Sequence, residues 1–176
     1  MGSSQSSMWS DLFYPGNPER RQRLTRKHQE LLELMKNNFR ATNQLIETLK
    51  KHVGLSFSPI AVNEKASVKE NCEVIIARIR EIQAEVEKID THLKEKLEPT
   101  LYKKLSVHVL TPVLYNDVFL PIIGVDMIAG AIGGSVSRDQ LEKALEEYEK
   151  TLDEFRPASE QYQDSITYVR IRLEKN

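Results

Sequence analysis

Cys72, Ile75, Ile79, Ile82, Val86, Ile89, Leu93 and Leu97 follow one another at steps of 3, 4, 3, 4, 3, 4 and 4, with glutamate, lysine and arginine filling most positions between them. An apolar residue at every third or fourth position, sustained over more than three heptads, marks a helix that needs a helical partner along its whole length. Ser67 and Glu70 open it as a capping box, in which each side chain satisfies an orphan amide of the first turn. Pro99 ends or kinks it.

Two further helices carry the same period. Asn17 is placed to cap the first and Pro18 to occupy its first turn, where a missing N–H costs nothing. Its apolar residues are Leu24, Leu31, Leu32, Met35, Phe39, Leu45, Ile46, Leu49 and Val53, and Gly54 supplies the stop. The third opens with Ser137 and Gln140 as a capping box and Val136 against Leu141 as a staple. Its stripe of Leu141, Leu145, Tyr148, Leu152, Phe155, Ser159, Tyr162, Ile166, Val169 and Leu173 keeps phase across Pro157, which predicts one helix kinked there.

The chain of 176 residues has few glycines and prolines, seven of each, and a net charge of −1. That charge is unevenly spread. Residues 1–54 hold nine Lys/Arg against five Asp/Glu, and residues 105–176 hold seven against twelve, a complement that suits two helices packed side by side. These readings predict an all-α fold: long antiparallel helices forming a coiled-coil-like three-helix bundle with an apolar connecting segment. The expected division is a tail at 1–16, a helical hairpin at 17–104 with helices near 17–53 and 67–98, an apolar segment at 105–136, and a C-terminal heptad helix at 137–176.

The apolar segment raises the functional question. "VFLPIIGVDMIAGAIGGSV", Val118 to Val136, spans about 28 Å as a helix, close to the hydrocarbon thickness of a bilayer. Asp126 costs roughly 2.5 to 3.5 kcal/mol on an insertion scale, against about 0.3 to 0.6 kcal/mol returned by each Val, Leu, Ile or Phe, so the sum is near zero. Gly130 and Gly134 form a small-residue pair of the kind that lets helices approach closely. Val118, Phe119, Leu120, Ile122, Ile123, Ile128 and Ile132 are the residues expected to meet lipid or the core.

Near the start, "MGSSQSS" fits an N-myristoylation pattern with Gly2 as acceptor. Arg20, Arg21, Arg23, Arg26 and Lys27 form a basic cluster that either meets anionic lipid or is a solvated helix face. The cluster lacks interleaved aromatics, which points away from nucleic acid. His28, His52, His92 and His108 have no metal-ligand spacing and read as histidines on helix surfaces or ends. Cys72 lies in a heptad stripe, no glycine loop or nucleophile elbow appears, and neither a cofactor, a small-molecule substrate nor an enzymatic activity is expected. A single cysteine favours an intracellular setting.

At "DLFYPGNPERR", "KENCEVII", "LKEKLEPTLYKKL", "GVDMI" and "YEKTLDEFRPASEQY" the chain resembles the single-pass membrane and coiled-coil domain-containing protein 3 family of vertebrates. The resemblance covers most of residues 11–104 and 124–170, and implies a coiled-coil protein with a membrane segment and no catalytic residues. "SVHVLTPVLYNDVFLPII" stands where that family has a longer apolar region. The sequence thus predicts a non-enzymatic, membrane-associated coiled-coil interaction protein. Two alternatives stand beside it: a soluble coiled-coil scaffold that recruits a second copy or a helical partner, cytoplasmic if the apolar segment is buried, and a membrane-perturbing helical effector that keeps that segment sequestered.

Overall fold

The computed structural model describes residues 17–56, 63, 65, 68–114 and 138–175. Among them there is no strand, so the all-α class stands. Two long helices, α1 (Asn17–Val53) and α6 (Arg138–Glu174), frame the molecule. Between them in sequence the described residues form four shorter helices, α2 (Val68–Ala84), α3 (Val86–Lys96), α4 (Pro99–Leu105) and α5 (Thr111–Leu114), with a π-helical turn at Ser106–Leu110 joining the last two. The expected clean three-helix coiled coil is therefore corrected. Its middle leg is divided, and the divisions have local causes.

The first break falls at Glu85, whose φ of −107° and ψ of 8° leave the helical region. Ile82 and Ile89, seven positions apart across the break, are both buried, so the apolar stripe keeps its phase although the helix does not continue. The second falls at Leu97 and Glu98, both extended. Pro99 drives the residue before it out of the helical region and then starts α4 in its first turn. There the chain folds back on itself, so that α2 lies against α5 and the Tyr102 hydroxyl donates to Asp90 Oδ1 at 2.8 Å across the bend.

The π turn answers a spacing problem. Leu97, Leu101, Leu105, Val109 and Val113 are all buried, one at every fourth position. On a helix of 3.6 residues per turn each step of four overshoots by about 40°, and the stripe would rotate off its neighbour. A turn closed by i→i+5 bonds is wider and takes out that drift. Pro112 supplies the local cause, since it brings no N–H and its ring crowds the carbonyl four residues earlier. Both the N–H and the hydroxyl of Thr111 reach back to the Ser106 carbonyl, the latter at 2.7 Å. Residues 105–114, expected to belong to an apolar membrane element, thus place Leu105, Val109 and Val113 in the core.

Helix directions also differ from expectation. α1 and α6 are parallel, because residues that touch across them stay 120 to 126 positions apart from one end to the other. α4 and the π turn run antiparallel to α6: Lys104 lies over the Tyr168 ring at 4.4 Å, and His108 Nδ1 meets Gln161 Nε2 at 3.1 Å. His92 Nε2 donates to the Val53 carbonyl at 2.6 Å, so α3 and α1 reach the same end of the molecule. An antiparallel hairpin between α1 and the 67–98 stretch would instead set Val53 beside the start of α2. The antiparallel pair lies within residues 68–114.

α6 runs unbroken through Pro157, and α1 stops at Gly54, whose φ of +70° is the left-handed turn that ends many helices. Beyond it the Leu55 N–H bonds the Leu49 carbonyl at 3.3 Å. A Cβ at Gly54 would meet no atom within 4 Å, so the cost of Gly54→Ala is conformational alone. Thermal unfolding should show a loss of about 1 to 2 kcal/mol for Gly54→Ala and less for Gly54→Asn, since asparagine tolerates this region. For a chain of this length each kcal/mol lost lowers the melting temperature by roughly 2 to 4 °C.

Candidate functional site

The chemistry-bearing side chains of the described residues gather along the seam between α1 and α6. Written with its polar members included, the inner edge of α1 is Leu24, the half-buried His28, Leu31, Met35, Asn38, Thr42, Leu45 and Leu49, at steps of 4, 3, 4, 3, 4, 3 and 4. It faces the stripe of α6 from Leu141 to Leu173. Each polar position on one helix meets a polar position on the other, and three rungs result.

At the first rung, His28 Nδ1 and the Tyr148 hydroxyl stand 2.6 Å apart with their rings nearly perpendicular at 85°. Tyr148 is fully buried, and burial holds its phenol well above the ordinary value. Burial also holds His28 below its ordinary value, because the imidazolium would lose hydration there. Neutral His28 is the form this rung stabilises.

The second rung is Asn38, fully buried, whose Nδ2 donates to Ser159 Oγ at 3.0 Å while its Oδ1 accepts from Gln163 Nε2 at 2.8 Å. At the third, Thr42 donates its single hydroxyl proton to the Asn38 carbonyl at 2.7 Å, so in its 2.6 Å contact with Tyr162 the phenol is the donor. Burial raises the Tyr162 phenol as well, against the opposing effect of Thr42. The second and third rungs thus form one connected network. Lower down, Arg170 donates from Nε to Thr48 Oγ1 at 3.2 Å and from Nη1 to Gln44 Oε1 at 3.0 Å.

Ion pairs border the seam. Arg20 meets Glu142 at 3.2 Å, Arg23 and Lys27 share Glu149 at 3.1 and 3.5 Å, and Arg156 pairs with Glu30. At the far end Glu174 stands 3.3 Å from His52 Nε2 and 3.5 Å from Lys51, and these two hold its carboxyl below the ordinary value. Single exposed pairs of this kind contribute about 0 to 1 kcal/mol each. Their placement fixes direction more than stability.

The residues singled out from sequence fare unequally. Of the basic cluster, Arg20, Arg23 and Lys27 are turned to α6 carboxylates, and Arg26 is exposed. Gly2 and the run Val118, Phe119, Leu120, Ile122, Ile123, Ile128, Gly130, Ile132 and Gly134 lie outside the described residues. The membrane reading, including the membrane as partner and location, is corrected: among the described residues no helix is long and apolar enough to cross a membrane, and the apolar stripes are narrow edges buried against one another. Also among these residues, no group of three or more His, Cys, Asp and Glu is placed to hold a metal. His28, Asn38 and Thr42 were missed as site residues. Their signal was the set of gaps in the α1 stripe, which fall where α6 carries Tyr148, Ser159 and Tyr162.

A seam of two long helices with paired polar rungs defines an all-α protein. The chain belongs to DUF4533, a family of proteins of unknown function, whose pattern matches residues 20–114. This corrects the resemblance to a single-pass membrane and coiled-coil family. The match runs on through "SVHVLTPVL", the stretch that had seemed a departure. No solved structure matches the chain.

Two outcomes test the seam. Thr42→Val should cost about 1 to 3 kcal/mol, because it removes both the hydroxyl that accepts from the buried Tyr162 phenol and its bond to the Asn38 carbonyl; Tyr162→Phe should cost less, because Thr42 keeps that bond; and the double variant should fall short of their sum. Denaturant titration of the four proteins reads this. Because the folded value of His28 lies below the unfolded 6.5, the unfolded chain takes up the proton first as pH falls. The His28 contribution should therefore be complete above about pH 6.5 and decline below it, a decline His28→Gln removes; the Glu174 contribution should decline only below its ordinary 4.5.

Proposed function

We propose that this chain is a non-enzymatic helical interaction protein: a coiled-coil scaffold that recruits a second copy of itself or a helical partner. The observation that carries this reading is the outer edge of α6. Tyr168 and Ile171, three positions apart and off the seam stripe, are 38% and 50% exposed, and Val107 of the π turn is 49% exposed. Apolar residues at that spacing are the anchors by which one amphipathic helix docks on another. Lys104 over the Tyr168 ring at 4.4 Å and Arg172 at 6.0 Å give the edge a cationic rim, which fits a partner helix bearing carboxylates beside its apolar stripe.

Two further observations support it. The polar side chains of the seam bond one another, helix to helix, which is a structural use of groups that in an enzyme would face a substrate. Where α4 and the π turn lie along α6, three helical layers meet, and this end is the part of the molecule that we read as a coiled-coil-like three-helix bundle.

Sedimentation equilibrium over a concentration series is the test. Self-association predicts an apparent mass that rises above the 20.3 kDa of one chain and returns to it in Ile171→Glu, with helicity unchanged. A mass of one chain at every concentration would remove the second copy. A photocrosslinker at position 171 that captures no helical protein in cells would then remove the partner as well.

A further inference from the structure

We infer that an apolar pocket beside the third polar rung binds the alkyl end of a short aliphatic ligand. This is a site separate from the docking edge of α6 and does not depend on that reading. The pocket has a volume of about 80 Å³ and is partly open to the surface. Its walls are Ile46 and Leu49 of α1, Ile82 and Ile89 of the α2–α3 stretch, and Val109 and Val113 from the π turn and α5. Thr42 and Tyr162 are the polar residues in the lining.

Three properties select the ligand. Both hydroxyl protons are already committed, Tyr162 donating to Thr42 and Thr42 to the Asn38 carbonyl, so neither hydroxyl has a proton left to donate into the pocket. A water molecule needs two to four polar partners, and apart from these two residues the lining is hydrocarbon, so the pocket favours an apolar occupant. Its size sets the second limit. A cavity of about 150 Å³ holds benzene, and pockets for drug-sized ligands begin near 300 Å³, so about 80 Å³ suits a few carbon atoms and no cofactor. The open side sets the third, since a ligand longer than the pocket can leave its polar end in water. Val109 and Leu110, both in the lining, belong to the π turn, and such irregular turns recur at functional sites.

The full chain, labelled with carbon-13 at Ile, Leu and Val methyls, should be titrated with 1-alkanols from ethanol to hexanol and followed by NMR. The expected result is saturable shifts confined to the methyls that line the pocket, those of the six wall residues together with Leu55 and Leu110. Affinity should rise about fourfold per added CH₂, then level off at the length that fills the pocket. Val113→Phe, which occupies the space, should lose at least tenfold in affinity while keeping helicity. Shifts that grow without saturation, or that appear equally at Val74 and Ile171 on the surface, would overturn the proposal. So would unchanged affinity in Val113→Phe. Should that variant fail to fold, Val109→Leu decides the matter: it should weaken binding of the longest alcohol that fits the parent pocket, and equal affinity would count against the site.

Discussion

The polar rungs set the register on which the rest of the structure depends. A buried hydroxyl or amide that loses its partner costs roughly 1 to 3 kcal/mol, so a polar group on one helix dictates what must face it on the other. Sliding α6 along α1 by one heptad in either direction puts Leu141 or Phe155 opposite His28, Leu152 or Ile166 opposite Asn38, and Phe155 or Val169 opposite Thr42. Every alternative is apolar. An apolar stripe alone would accept all of these registers about equally, whereas with the rungs in place the neighbouring ones each break all three rungs at once.

At the N-terminal end of the seam, charge favours the observed direction. The first turns of α1 carry Arg20, Arg23 and Lys27, and the first turns of α6 carry Glu142 and Glu149, while Arg170 and Arg172 lie near the end of α6. Reversing α6 would bring cation against cation at that end. Parallel neighbours cannot be joined by a short turn, so the intervening chain has to travel back. The reversal at Leu97 and Glu98 is part of that path, and it brings α4 and the π turn onto α6 in the opposite sense.

Much of this was legible in the residues. The all-α class followed from the heptad period, and the burial of Ile79, Ile82, Ile89, Leu93 and Leu97 from the stripe that contains them. Helix direction was not legible from period, which reads the same both ways; the charge gradient within each helix held that information, and comparing whole ends of the chain averaged it out. The break at Glu85 is invisible in a stripe that keeps phase across it. The π turn did have a signature, the run of fours from Leu97 to Val113 together with Pro112, but an apolar stretch next to a longer apolar run reads as part of that run. The rungs were half visible, because Tyr148, Ser159 and Tyr162 stood in the α6 stripe while their partners looked like gaps in α1.

The parallel pairing has a mechanical consequence. The N-terminal end of α1 and the C-terminal end of α6 lie at opposite ends of a seam about 55 Å long. Tension applied between them therefore acts along the seam, in shear, and loads His28–Tyr148, Asn38–Ser159 and Thr42–Tyr162 together. Had the two helices been antiparallel, the same tension would have peeled them apart one rung at a time. A chain joined in this way carries tension as a tie rod does.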